Sequence, residues 1–218
     1  KLLTEFVKKT GFPITNTLMG LGAYPANDKQ FLGMLGMHGT YEANMAMHEC
    51  DVLLAIGARF DDRVTGNLEK FCPHAKIVHI DIDPTSIRKN VPVSIPVVSD
   101  CRQALKELNR LLDPEDLMSI IQKRQAWYDL IDQWKNTKPL AYLQTDIIKP
   151  QYVIERLFEF TRGQAIITTE VGQNQMWAAQ YYHFDAPNHF ITSGGLGTMG
   201  FGLPAAIGAQ MAHPDRTV

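Results

Sequence analysis

Cysteine is scarce in this 218-residue sequence: there are three, Cys50, Cys72 and Cys101, an odd number with no Cys-x-x-Cys pair. That excludes a disulfide-stapled framework and fits free thiols in a reducing compartment. An excess of charge of one sign is also lacking. Lys and Arg number 21 against 23 Asp and Glu, a formal net charge of −2, so no broad positive field draws the chain to nucleic acid or anionic lipid. No apolar run approaches the ~20 residues of a membrane span. The seven histidines show no HxxxH or HExxH spacing, so no metal ligands are assigned, and no GxSxG elbow offers a serine nucleophile. The opening KLLTEFVKKT has neither a Met nor the apolar stretch of a signal peptide. The closing Thr217-Val218 reads as a strand just starting, so both ends are expected to be cuts through a longer protein.

What is present is ordinary globular composition, 45% hydrophobic and 20% charged. Short β-branched or aliphatic runs alternate with helical patterns. Strands are expected at Ile14–Thr17, Val52–Gly57, Lys76–Asp81, Ile95–Ser99, Ala165–Thr169 and Phe190–Thr192. Most are near-continuous apolar runs, which predicts a parallel sheet in an α/β layer structure with both faces covered by helices. Asp100 is placed to cap a helix with Leu105, Leu108, Leu111 and Leu112 on one stripe. Asp113-Pro114-Glu115 predicts the start of a second, long helix carrying Leu117, Ile120, Ile121, Trp127, Leu130, Ile131 and Trp134. Pro204 suits the first turn of a helix in LPAAIGAQMA. The stretch from about Asn136 to Pro150 holds two prolines and no clear period, so 136–149 reads as a linker between residues 1–135 and a second domain over 150–218.

Five strings carry chemistry. LGMLGMHGT (Leu32 to Thr40) sets glycines ahead of a helical YEANMAMHEC; such a turn either offers backbone N–H groups to a phosphate or merely connects elements. GARFDDRVTG (Gly57 to Gly66) follows the strand VLLAIG, at the position where open α/β sheets bind ligands. VHIDIDP (Val78 to Pro84) puts Asp81 and Asp83 at another strand end, Asp81 for ribose hydroxyls and Asp83 as a cap of a short helix; Asp100 repeats that geometry. TTEVGQNQMWAAQ (Thr168 to Gln180) turns from strand to helix at Gln173, Asn174 and Gln175. SGGLGTMGFGLPAAIGA (Ser193 to Ala209) contains a formal GxGxxG at Gly195, Gly197 and Gly200, but lacks the acid about twenty residues on that a dinucleotide fingerprint needs. His38 is the one histidine within a ligand-like loop; the others are expected to be structural or exposed.

LGMHGT, GARFDDRVTG, VHIDIDP, EVGQNQMWAAQ and SGGLGTMGFGLPAAIGAQ, in this order and spacing, closely resemble the large catalytic subunit of the acetohydroxyacid synthase (acetolactate synthase) family of thiamine-diphosphate enzymes. The resemblance covers nearly the whole chain and is weakest over about 113–150. It implies a Rossmann-like FAD-binding middle domain over 1–135, truncated at its N-terminal side, then the start of a thiamine-diphosphate-binding α/β domain over 150–218. It implies decarboxylative condensation of two pyruvates, or of pyruvate with 2-oxobutyrate, toward branched-chain amino acids. Thiamine diphosphate, Mg²⁺ and FAD are the implied cofactors, with the activating glutamate and the Mg²⁺-binding GDG-type segment outside these residues, so that this stretch alone is expected to be inactive.

The FAD contacts carried over are Thr17, Leu18, Leu35, Gly36, Met37, His38, Gly57, Ala58, Arg59, Phe60, Asp61, Asp81, Ile82, Asp100 and Cys101. Asp62 and Arg63 match the substrate channel, with Arg63 placed for a 2-oxo-acid carboxylate. Gln173, Asn174, Gly197, Thr198 and Met199 match the thiamine-binding face, Met199 as the bulky support of a bent cofactor; Arg63, Met199 and Gln173 are the catalytic candidates. Asn174 departs from the family's usual His, which removes a titratable group. The resemblance further implies 2-oxo acids as substrates, a homodimer or tetramer, a small regulatory subunit, and a cytoplasmic or, in eukaryotes, organellar setting, with no nucleic-acid or membrane partner. The competing readings are a non-catalytic FAD- or NAD-binding module and another thiamine-diphosphate oxidase or decarboxylase. The glycine-rich second half has no task in a bare nucleotide module, and RFDDRVTG favours the synthase.

Overall fold

The computed structural model describes residues 1–112, 119 and 121–218. Its internal contacts divide the chain into two compact units, one of Lys1–Ile14 with Leu35–Pro139, the other of Thr15–Met34 with Leu140–Val218. No helix among the described residues is long and apolar enough to cross a membrane.

The first unit holds a parallel sheet of β3 (Val52–Ile56), β4 (Lys76–Asp81) and β5 (Ile95–Val98), with β4 in the middle. Ile56 lies opposite Ile80, and Asp81 opposite Val98. The carboxyl ends of the three strands therefore finish side by side. Ala55, Phe60, Ile77, Val91 and Val93 form the core under the sheet. Helix α1 (Leu2–Thr10) packs on α4 (Cys101–Leu111), where the Asn109 side-chain amide donates to the Leu2 carbonyl at 3.0 Å. Helix α2 (Tyr41–Glu49) packs on α5 (Gln125–Thr137), which buries Ile131. A four-residue turn of helix, α3 (Asp62–Thr65), follows β3.

The second unit pairs β6 (Ile167–Thr169) with β7 (Phe190–Thr192) in parallel, Thr169 opposite Thr192. The Ile166 N–H donates to the Thr217 carbonyl at 3.0 Å, but Thr217 and Val218, expected to begin a strand, form none among the described residues. Strands β1 (Ile14–Asn16) and β2 (Phe31–Met34) form a separate two-stranded sheet. The core gathers Leu21, Met34, Ala179, Tyr182 and Phe184 beneath α6 (Pro150–Thr161) and α7 (Gln173–Tyr181). Tyr182 and Phe184 are each 2% exposed; such burial is worth roughly 2–3 kcal/mol per side chain. Helix α8 (Gly202–Ala212) follows β7, and its third residue is Pro204, a first-turn position that needs no N–H donor.

Four expectations change. Leu32, Gly33 and Met34 belong to β2, not to a ligand loop; Gly33, with φ 92°, breaks the strand pattern at the sequence level. Strand β5 is an edge with Ile95 and Val98 more than half exposed, so both faces of the sheet are not covered there. Asp83 caps a turn rather than a helix, accepting from the Thr85 amide and hydroxyl and from the Ser86 hydroxyl. In α4 only Leu105 of the leucine stripe is buried, and Leu111 lies exposed. The expected helix start at Asp113-Pro114-Glu115, with Leu117 and Ile120, falls outside the described residues.

Candidate cofactor sites

In the first unit the sheet itself builds the site. The Gly57 N–H donates to the Ile80 carbonyl at 2.8 Å, and the Ser99 N–H to the Asp81 carbonyl at 3.0 Å, which carries the ladder one residue past each strand. Gly57, Asp81-Ile82 and Asp100-Cys101 therefore stand in a row along one edge. Gly57 turns there with φ 66°, and a Cβ on it would stand 3.1 Å from the Cys101 Sγ. Asp100 accepts the Arg102 and Gln103 amides, so its carboxylate satisfies the orphan donors of α4. Asp81 is 8% exposed and spends one oxygen on the Asp83 amide at 2.9 Å. Ile82, next to it, is 67% exposed, an apolar side chain at the strand end. Burial, then the Asp100 and Asp81 carboxylates, hold the Cys101 thiol above its ordinary range.

The loop after β2 folds against the segment after β3. A Cβ on Gly36 would sit 2.5 Å from the Arg63 carbonyl oxygen, so only glycine allows this approach, at φ 93°. The Met37 N–H donates to that same carbonyl at 2.8 Å, and Asn44 closes the turn by exchanging two hydrogen bonds with the Gly36 backbone. The amides of Gly36, Met37 and Gly39 are thus used within the chain. What the loop presents outward is side chains, Met37 and His38 both exposed. The Arg63 guanidinium lies 3.7 Å from the Met37 sulfur. Arg59 pairs with Asp61 at 3.0 Å, both well exposed, a contact worth little to stability. Phe60 points inward, edge-on to His79 with ring centroids 4.9 Å apart, and its carbonyl accepts from Asn90; of this residue only backbone faces the strand ends.

Thr17 and Leu18 are not part of the unit that carries this group. They belong to the second unit, where Leu18 packs on its aromatic core.

In the second unit, side chains do the holding. The Thr169 and Thr192 hydroxyls meet at 2.8 Å across the ends of β6 and β7, and the buried Gln175 amide donates to Thr192 Oγ1 at 2.7 Å. Gly172, at φ 138°, swings the chain into α7 and supplies no side-chain cap, while Asn174 Oδ1 accepts the Gln175 amide at 2.8 Å within the first turn. The Ser193 hydroxyl accepts the Thr198 amide at 2.9 Å. Glu170 accepts the Gly200 and Gly202 amides. Between these ties Leu196 and Met199 are 94% and 70% exposed. Gln173 and Asn174 thus fall at the start of α7, just past β6, and Gly197, Thr198 and Met199 on the loop that leaves β7.

Three residues were not singled out from sequence. Glu170 differs from the many surface acids only in standing at a strand end. Asn44 lies inside a helix, and its partner is eight residues away. His79 alternates inward along VHIDID; it is fully buried, neither ring nitrogen has a hydrogen-bond partner, and Nε2 lies 3.8 Å from Asp81 Oδ2.

Comparison with known proteins matches residues 1–108 to the thiamine pyrophosphate enzyme central domain and residues 170–218 to the thiamine pyrophosphate enzyme C-terminal TPP binding domain. The acetolactate synthase large subunit of Haemophilus influenzae is 57% identical over 217 residues, 99% of this chain. The acetolactate synthase isozyme 3 large subunit of Escherichia coli is 54% identical, and acetolactate synthase 2, chloroplastic, of Zea mays 51%, over the same 99%. The chain spans 38% of the length of the two bacterial relatives and 34% of the maize one. With two thiamine-enzyme domains matched in order over more than half of its residues, the chain belongs to the thiamine pyrophosphate enzyme family, and it is similar from end to end to part of the acetolactate synthase large subunits.

Proposed function

We propose that this chain is part of an acetolactate synthase large subunit that condenses two pyruvates, or pyruvate and 2-oxobutyrate, with loss of carbon dioxide. The observation that supports it most is the pairing, in one chain, of a nucleotide-type strand-end row with a separate glycine loop at the ends of β6 and β7. On this reading residues 1–135 are the Rossmann-like FAD-binding domain, 136–149 a linker, and 150–218 the start of the thiamine-binding domain. FAD suits the first site by its donor set: the Gly57 turn, the buried Asp81 carboxylate and the exposed apolar Ile82 offer close approach, a hydroxyl acceptor and a flat apolar contact. Leu35, Gly36, Met37, His38, Ala58, Arg59, Phe60, Asp61, Asp100 and Cys101 complete that contact set.

Thiamine diphosphate suits the second site. The start of α7, where Gly172 has no side chain and Asn174 Oδ1 takes the Gln175 amide alone, is a place for negative charge, and no heavy atom lies within 4 Å of a Cβ added at Gly195 or Gly200. Bound there, the cofactor supplies the electron sink for decarboxylation. The chain's own residues do the rest. Met199 lends an exposed thioether side chain for the ring to rest on. Gln173 donates and accepts through its amide, and Asn174 does so without a titratable proton. Arg63, exposed and held beside Met37, pairs with a 2-oxo-acid carboxylate, and Asp62 lines the same approach. Mg²⁺ ligands are not assigned to residues of this chain. Partners on this reading are a second copy of the large subunit, as a dimer or tetramer, and a small regulatory subunit, in the cytoplasm or, in a eukaryote, an organelle.

The test is acetolactate formation from pyruvate by the full-length subunit that carries these residues, with each cofactor withheld in turn. Loss of product on removing thiamine diphosphate is expected. Product formed equally without it, or none under any combination, defeats the reading.

A further inference from the structure

We propose that Glu170 is the positioning residue of the glycine loop between Ser193 and Phe201, its carboxylate setting where Thr198 and Met199 stand. This deepens the thiamine-diphosphate reading of the same site and rests on it. Glu170 Oε2 accepts the Gly200 N–H at 2.8 Å and Oε1 accepts the Gly202 N–H at 2.6 Å. One side chain at the end of β6 thereby bridges the end of the loop and the first residue of α8. The other end of the loop is tied to Ser193, whose hydroxyl takes the Thr198 amide at 2.9 Å and whose carbonyl takes the Gly197 amide at 3.0 Å.

Packing holds the stretch at Gly194, where a Cβ would lie 2.6 Å from the Met19 sulfur, but not at the glycines beyond it. A Cβ added at Gly195 or Gly200 would meet nothing within 4 Å, and at Gly197 only Val171, at 3.8 Å. Met199, two-thirds exposed, stands between the two ties. Its position therefore follows from the polar ties, and Glu170 supplies two of them. Gly202 is where the backbone does close in: a Cβ there would lie 2.8 Å from the Glu170 nitrogen. That close approach of the bare backbone brings both amides within reach of one carboxylate.

The chemistry demands this residue type. A carboxylate offers two acceptor oxygens and no donor, whereas glutamine would turn an NH₂ group toward the second amide. Hydrogen bonds to an ionised acceptor are also about twice as strong as neutral ones. Glu170 is thus matched to two converging N–H groups in a way that neither glutamine nor alanine is.

The experiment uses the full-length large subunit that carries this chain, with thiamine diphosphate, Mg²⁺ and FAD supplied and pyruvate as substrate. In Glu170→Gln and Glu170→Ala, the half-saturating thiamine diphosphate concentration is expected to rise about tenfold or more. The KM for pyruvate is expected to stay within about twofold and Tm to stay near that of the unmodified protein, because the loop is not core. An unchanged thiamine requirement in both variants, or a pyruvate KM that rises in step with a falling Tm, overturns the proposal. Should the variants not fold, amide hydrogen exchange in the unmodified protein decides: Gly200 and Gly202 are expected to exchange about tenfold or more slowly than Gly195, and equal rates overturn the clasp. An unmodified enzyme that works without thiamine diphosphate overturns the functional reading and the cofactor half of this proposal, while the exchange comparison still separately decides the clasp.

Discussion

The two units end their parallel strands in different ways. In the first, backbone meets backbone. The ladder runs on through Gly57 and Ser99, and the Gly36 turn rests on the Arg63 carbonyl. In the second, the strands are short and side chains finish the work. Two threonine hydroxyls and a glutamine amide join the strand ends, and Ser193 and Glu170 hold the loop beyond. A backbone-built end leaves Arg59, Asp62 and Arg63 exposed while Asp81 is buried, which suits a large ligand laid across several strands. A side-chain-built end can place a few loop atoms closely, which suits a ligand that must be held in one conformation. The cost of the second design is sensitivity to single polar substitutions, since each buried hydroxyl or amide depends on a partner.

That contrast can be broken first at Gly36. Gly36→Ala is expected to destabilise the first unit by about 3 kcal/mol, because it sets a Cβ against backbone at a positive φ, where the chain cannot give way. Denaturant unfolding with residue-resolved exchange would show the loss confined to residues of that unit. A loss under about 1 kcal/mol would mean the Gly36 turn does not rest on backbone.

Thr192→Val is the matching cut in the second unit. It keeps the shape and removes the acceptor of Gln175 and the partner of Thr169, at about 2 kcal/mol. Restoring an acceptor with Thr192→Ser should recover most of the polar part, as read by Tm. If valine is as good as threonine, the strand ends are held by packing, and the contrast between the units dissolves.

Asp100→Ala probes a place at the strand ends where the first unit also uses a side chain. Removing the cap of α4 is expected to cost about 1 kcal/mol. Asp100→Asn should cost less, because the amide oxygen still accepts the Arg102 and Gln103 amides.

The smallest effect concerns acid. Burial, then the Arg216 charge, holds His189 below the ordinary imidazole value of 6.5. The folded chain therefore binds the proton less readily than the unfolded one. Its contribution is present above about pH 6.5 and is lost as pH falls below that value. Unfolding of the second unit followed from pH 8 to pH 5 should show a decline that His189→Gln flattens. A decline of equal depth in the variant would place the acid sensitivity elsewhere.

Strands β3, β4, β6 and β7 were readable because runs such as VLLAI and KIVHID are continuous, β-branched and bounded by Gly, Asp or Pro. The strand-end positions Gly57, Asp81 and Asp100 were readable for the same reason, since a ligand position follows once the end of a strand is known. Strand β2 was missed because Gly33 interrupts its pattern. Thr15–Met34 carries no composition shift to separate it from its neighbours, yet it packs with the second unit. That division is written in long-range contacts such as Leu21 and Met34 with Tyr182.

Local order determined much by itself: the strings around the glycines and acids identify the family, and the alternation of strand and helix sets the α/β class. Tertiary structure alone decided which acid does what. Asp81 and Glu170 look alike in sequence, one acid at a strand end each. One is buried beside the fully enclosed His79, and the other clasps two amides some thirty residues along the chain. Spacing and propensity act over a turn or two of chain, whereas a carboxylate's role depends on which donors the whole fold brings within hydrogen-bond reach.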